Sequence, residues 1–273
     1  MTNLKAAPPR RLLHNLPVFS PIAVKLMMLV ADEDVSFKEV AKLFSLDPVL
    51  AGQILRLANS GLYGRGVAIQ SVLQAVAMLG LKSISRIAVT AALTSGFPRP
   101  ISPWLRDWWR HSIASALIAD HAGSGTLDLD FGYTAGLLHA IGRLALFRSA
   151  PQEYPKLMDP ACTSRADAVA CERERFGVDR SELARLILAE WGLPASLQLA
   201  VSRYHVPHPA EPLTTAVRAG CYYAESLGFG QCGGCLGASA ETTPPCPEPS
   251  LDPSLLNNLA IEVNRIEIDC ALA

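Results

Sequence analysis

Three histidines and four cysteines carry most of the chemistry open to this sequence. His139 sits inside GLLHAIGRLAL, residues 136–146, a run apolar on nearly every side and so suited to a core helix. His111 lies in WWRHS and His205 in RYHVP. If these three rings converge, they form a small imidazole pocket that Arg110, Arg143 and Arg180 could line for an anionic ligand. The plainer alternative is three buried histidines, each with a hydrogen-bonded ring nitrogen, and arginines on solvated helix faces. Metal-assisted hydrolysis asks for more than imidazole. One or two cations must polarise a phosphoryl oxygen and activate water, and such cations want carboxylates beside the rings. The residue after His139 is Ala140, which offers none.

Cys221, Cys232, Cys235 and Cys246 form the pattern C-x10-C-x2-C-x10-C, and four thiolates would complete a zinc tetrahedron. The spacing is unlike the paired CxxC of zinc modules, since Cys221 falls in a predicted helix and Cys246 in a Pro-rich stretch. An incidental loop pair is the simpler reading, and neither metal nor cofactor is expected. Three further cysteines, Cys162, Cys171 and Cys270, are dispersed in helix-like sequence. That usage fits a reducing cytoplasm rather than a disulfide scaffold.

The elements that must position these groups are helices. Apolar residues recur at three- and four-residue spacing, and strand signals are scarce. Ser20-Pro21, Asp47-Pro48 and Ser102-Pro103 each pair an N-cap acceptor with Pro at the first helical position, and Ser36 with Glu39 makes a capping box. Gly80, Gly96, Gly123, Gly177 and Gly192 fall where helices should stop. The pattern predicts about five short helices before residue 100. A second group follows at 103–121, 131–149, 165–176, 180–191, 195–204 and 213–227, with a last helix at 255–270. The organisation is an N-terminal helical subdomain (1–100), a second helical subdomain (101–230), a Cys/Gly/Pro-rich flexible loop (231–253) and a C-terminal helix (254–273).

Bulk composition narrows the function classes. Of 273 residues, half are hydrophobic and 18% charged, so a sizeable core is assured; the net charge of −1 does not mark a nucleic-acid or anionic-membrane binder. No stretch offers the roughly 20 unbroken apolar residues of a membrane span, and the N-terminus lacks the apolar core of a signal peptide, so a cytoplasmic protein is expected. Residues 36–59 have a helix-turn-helix rhythm, yet the second helix presents only Gln53, Arg56 and Asn59, too few contacts to read a major groove. Trp104, Trp108 and Trp109 enrich one helix start, with one of the adjacent pair expected in the core and the other at a rim.

The ordered phrases DPVLAGQILRLANSGLYG, IQSVLQAVAMLG, WWRHS, GLLHAIGRLAL, ERFGVDRSELARLILAEWGLP and RYHVP resemble the HDOD family, HD-related output domains of bacterial signalling proteins, from about residue 16 to 230. The resemblance implies an all-α fold, an N-terminal helical bundle packed on an HD-like helical bundle. It places the first two metal-ligand positions of an HD hydrolase at His111 and His139. The third is Ala140, and the late acidic position falls at 219–223, where there is no carboxylate. Arg180 and Tyr204 stand where relatives often have His. The resemblance therefore implies a non-enzymatic regulatory module acting on a protein partner, such as a diguanylate cyclase, phosphodiesterase or response regulator, without membrane or nucleic acid. Asp47, Arg56, Asn59, Tyr63, Trp104 and Trp108 are the expected docking residues. Two other readings stand beside it: a sensor of a nucleotide or other phosphorylated ligand in the vestigial pocket of His111, His139, His205, Arg143 and Arg180, and a residual metal-dependent phosphohydrolase.

Overall fold

Local capping chemistry sets where the helices of this chain begin and end. The computed structural model describes residues 12, 21–32, 34–59, 69–94, 102–122, 131–158, 165–206, 209–229 and 253–271, and their regular structure is entirely helical. Tyr63 and Cys232, Cys235 and Cys246 of the expected loop lie outside these residues. The helices are α1 (Pro21–Val30), α2 (Phe37–Phe44), α3 (Pro48–Ala58), α4 (Val72–Leu79), α5 (Leu81–Thr94), α6 (Pro103–Ala122) and α7 (Gly132–Leu138). They continue with α8 (Ile141–Ser149), α9 (Tyr154–Leu157), α10 (Arg165–Phe176), α11 (Arg180–Glu190), α12 (Ala195–Arg203), α13 (Pro212–Ser226) and α14 (Pro253–Ala271). Ser36 caps α2 in a reciprocal box with Glu39, and Asp47 Oδ1 and Ser102 Oγ each accept a backbone N–H at 3.2 Å to start α3 and α6. Gly80 ends α4 at φ 77°, a conformation that costs glycine little.

The described residues divide into two compact units, one between 17 and 97 and the other between 98 and 267. In the first, Leu26 of α1, Val40 and Phe44 of α2, Leu50 and Ile54 of α3, Val76 of α4 and Ile84 of α5 close one apolar core. Asn59 fastens the far end of α3: its side-chain amide donates to the Ile69 carbonyl at 2.8 Å and its carbonyl accepts the Ile69 N–H at 2.8 Å.

The second unit is built around α6, which is buried at every position from His111 to Asp120 and packs against α7 and α13. Helix α11 packs on α8 and α12. Arg110 ties α14 down through Glu267 at 2.6 Å and Asn264 at 2.7 Å. No single described helix is long and apolar enough to cross a membrane.

One predicted helix is two. The span 131–149 breaks at His139 and Ala140, because side chains take over the carbonyls at the turn. His139 Nδ1 sits 2.6 Å from the Gly136 carbonyl, and the Trp108 indole N–H donates to the Ala140 carbonyl at 3.0 Å. Small residues around the break let backbones nearly touch. A Cβ on Gly136 would lie 2.6 Å from Ala116 Cα of α6, one on Gly220 of α13 2.4 Å from the Ser115 carbonyl oxygen, and one on Gly142 of α8 1.9 Å from the Arg180 carbonyl oxygen. Such contacts leave no room for even a methyl group.

These contacts set a paired expectation for urea unfolding. Gly142→Ala should destabilise by roughly 1–3 kcal/mol or prevent folding, the cost of overpacking against a neighbouring backbone. Gly52→Ala, in the middle of α3 with no atom within 4 Å of the added methyl, should stabilise by about 0.5–1 kcal/mol.

Candidate functional site

The close approach of three helices brings two imidazoles and a thiol together. His111 projects from α6 one turn before Ser115, His139 follows α7, and Cys221 follows Gly220 in α13. All three are buried, at 0%, 2% and 0% exposure. His111 Nε2 is 3.2 Å from His139 Nε2, 3.7 Å from Cys221 Sγ and 3.5 Å from Ser115 Oγ. Among the described residues this is the group of His, Cys, Asp and Glu able to grip an ion, its three ligand atoms lying within 4.8 Å of one another. No carboxylate belongs to it.

The outward nitrogens fix the tautomers. His111 Nδ1 lies 2.8 Å from the Phe229 carbonyl oxygen, and His139 Nδ1 2.6 Å from that of Gly136. A carbonyl oxygen only accepts, so each Nδ1 carries the hydrogen and donates it. Each Nε2 then turns a lone pair toward the other ring and toward the thiol.

The other expected members of the pocket lie elsewhere. His205 is half-buried, with Nδ1 3.5 Å from Ser181 Oγ, and Tyr204 stands edge-on to both His139 and His205. Arg143 and Arg180 are not on solvated faces; they are 1% and 3% exposed. Arg180 Nε donates to Glu172 at 2.8 Å, and Glu172 also accepts the Arg180 backbone N–H at 3.0 Å and the Tyr154 hydroxyl at 2.7 Å. Burial, and then the Glu172 carboxylate, push the Tyr154 hydroxyl well above its ordinary range. Burial acts to discharge Arg180, but the Tyr154 oxygen and Glu172 outweigh it and hold the guanidinium cationic. Arg143 acts electrostatically on both groups. Arg180 therefore belongs to a buried ion pair with Glu172, and the residues expected to share one pocket include a second polar cluster at the start of α11.

The expected docking residues divide as well. Trp108 is fully buried and hydrogen-bonded, and Trp109 is only 3% exposed, so the pair does not split into core and rim as the sequence suggests. Both are enclosed because α6 is covered from Trp108 onward. Trp104 is half-buried, stacked on Phe147 with ring centroids 4.1 Å apart. The Asn59 side chain is committed to Ile69, Asp47 is half-buried at the cap of α3, and Arg56 is exposed on that helix.

Two features escaped the sequence. Glu172 sits in the run ERERF, which reads as a solvated charged face, and nothing in the spacing marks it as buried. Cys221 had a visible signal: it falls within 219–223, where a ligand was sought among carboxylates alone, although a thiolate is also a ligand.

The network makes two expectations. Glu172→Gln leaves a buried cation without its counter-charge and should cost roughly 3–5 kcal/mol in chemical denaturation, with Glu172→Gln/Arg180→Met recovering part of that loss. Beside it, Asp179 caps α11. Burial acts to raise its carboxyl, but the N–H of Glu182, the Arg173 guanidinium and the N–H of Ser181 together hold it below the ordinary 3.8. A lowered carboxyl stabilises the fold fully above its unfolded value, and that contribution is lost as pH falls through the folded one. Urea midpoints at a series of acidic pH values should therefore fall less steeply for Asp179→Asn than for the unmodified chain.

The fold has solved counterparts. An HDOD domain protein of unknown function from Geobacter sulfurreducens superposes with a TM-score of 0.67 at 22% identity, over 96% of this chain and 94% of its own. A protein from Marinobacter aquaeolei, provisionally described as acting in signal transduction, gives 0.64 at 23% identity, over 95% of this chain and 59% of its own. At such identities these likenesses speak for the fold. An uncharacterised curated protein of Treponema pallidum is 21% identical over 212 residues, 75% of this chain, which spans about two fifths (41%) of that relative's length. The HDOD domain pattern matches residues 16–207. With its helices, its buried histidine pair and that match, the chain belongs to the HDOD family.

Proposed function

We propose that this chain is a regulatory module of signal transduction that works by binding a protein partner and does not hydrolyse phosphate esters. The observation that carries the reading is the donor set at the one place where an HD-type scaffold would grip its ions. Two imidazoles and a thiol suit borderline or soft metals, whereas Mg2+ and Mn2+ call for oxygen ligands. A two-ion hydrolytic centre finds no bridging carboxylate there. Membership of the HDOD family adds support. A phosphate sensor draws little support by comparison, because Arg180, the cation suited to it, is buried and occupied by Glu172.

The first unit supplies the candidate docking surface. Among the described residues between 17 and 97, five large apolar side chains are exposed: Met28, Phe37, Leu46, Leu73 and Met78. Solvent-exposed apolar groups of this size are the usual anchors of protein recognition once they are gathered on one partner-facing surface.

Two assays test the proposal together. The chain supplied with Mn2+, Mg2+ or Fe2+ should hydrolyse a generic phosphodiester and cyclic dinucleotides no faster than His139→Ala. Affinity capture under native conditions should recover a defined partner that Leu46→Asp and Met28→Asp each weaken by tenfold or so while leaving the melting temperature unchanged. Metal-dependent turnover abolished by His139→Ala would contradict it, as would capture indifferent to both surface variants.

A further inference from the structure

We infer that His111 Nε2, His139 Nε2 and Cys221 Sγ form a binding site for a single Zn2+ ion at the junction of α6, α7 and α13. The inference rests on the same donor set as the proposed function but not on the docking surface, and zinc content and partner capture are read separately.

With hydrogens held on both Nδ1 atoms by carbonyl groups, the two Nε2 lone pairs meet at 3.2 Å. Two lone pairs at that distance repel unless a proton or a metal ion lies between them. The same outward Nδ1–H to carbonyl bonds are what orient imidazoles that ligate metals and raise their basicity.

Distances favour a metal ion in that role. Zn–N bonds of about 2.0–2.1 Å and Zn–S bonds of about 2.3 Å, at tetrahedral angles, place two nitrogens about 3.3 Å apart and a nitrogen and sulfur about 3.6 Å apart. The His–His edge is 3.2 Å and the His111–Cys221 edge 3.7 Å. The His139–Cys221 edge falls within 4.8 Å. Three protein ligands leave one position for a light donor, and Ser115 Oγ stands beside His111 Nε2 at 3.5 Å.

Ligand type selects the ion. A thiolate with two imidazoles and no carboxylate favours zinc over the hard ions that a hydrolase of this architecture would use. On binding, the Cys221 thiol loses its proton to solvent and the metal–sulfur bond forms with no change of oxidation state. The backbone pinch at Gly136 and Gly220 holds all three ligands on rigid helices, so the ion would be installed as the unit folds and would stabilise it.

The test uses the full chain carrying Cys232→Ser, Cys235→Ser and Cys246→Ser, so that thiols of the intervening segment cannot compete. After chelation and dialysis, Zn2+ binding is read by elemental analysis and by the melting temperature, and Co2+ substitution by the visible spectrum. The expected result is a single bound equivalent, a higher melting temperature with zinc, and cobalt spectra with tetrahedral bands and a thiolate charge-transfer band. Adding Cys221→Ser should abolish the charge-transfer band, and His139→Gln should weaken affinity roughly tenfold or more. A folded chain that retains no zinc overturns the inference and leaves the ring pair sharing a proton. Zinc bound equally well after Cys221→Ser overturns it too. Should either variant fail to fold, the parent chain decides: the charge-transfer band with one equivalent of cobalt supports the site, and its absence sinks it.

Discussion

Backbone-to-backbone contact at α6 is the constraint from which the second unit follows. Gly136 and Gly220 approach Ser115 and Ala116 from the two helices packed against them, so closely that a methyl group at either place would collide with main-chain atoms. Helices separated by ordinary side chains keep axes 8–10 Å or so apart, and short groups on them do not meet in threes. Here the approach is closer, and it lets an imidazole one turn before Ser115, an imidazole three residues after Gly136 and a thiol next to Gly220 converge. The break between α7 and α8 belongs to the same design: the His139 ring and the Trp108 indole each occupy a carbonyl at the turn.

Two buried polar clusters therefore sit in one helical unit with different characters. The Glu172, Arg180 and Tyr154 cluster is satisfied within itself, with charge, counter-charge and hydroxyl all hydrogen-bonded, and it ties the start of α11 to α10 and α9. Such networks hold a unique packing more than they add net stability. The His111, His139 and Cys221 cluster is organised the other way. Its outer nitrogens are anchored on carbonyls, and its two Nε2 lone pairs face one another beside the Cys221 thiol. Imidazoles oriented in this way beside a sulfur have the form of a metal site.

Helix positions were legible because caps, Pro at first turns and Gly stops act locally. Ser36 with Glu39, Asp47 before Pro48, and Gly80 each did what their chemistry predicts. Two elements differ from the sequence pattern: the helix over 131–149 breaks at His139 and Ala140, in part through the Trp108 indole, a contact distant in sequence, and the four-residue α9 is too short to leave a periodic signal. The importance of His139 and the absence of carboxylates near it were also visible in the sequence. Arg143, Arg180 and Glu172 were not, since charged residues at helical spacing ordinarily face water, and only tertiary burial distinguishes the exceptions. Trp108 was misplaced for a related reason: composition marks tryptophan for interfaces and cores alike, and the cover over α6 decides between them.

The account rests most heavily on what kind of ion, if any, the histidine pair is built to hold. X-ray absorption at the metal edge, on protein expressed in medium containing zinc, iron and manganese, addresses it directly. The account predicts a zinc edge with nitrogen scatterers at about 2.0 Å and a sulfur at about 2.3 Å. An iron or manganese edge with an all-oxygen-and-nitrogen shell would contradict it, and would return the fold to the hydrolases.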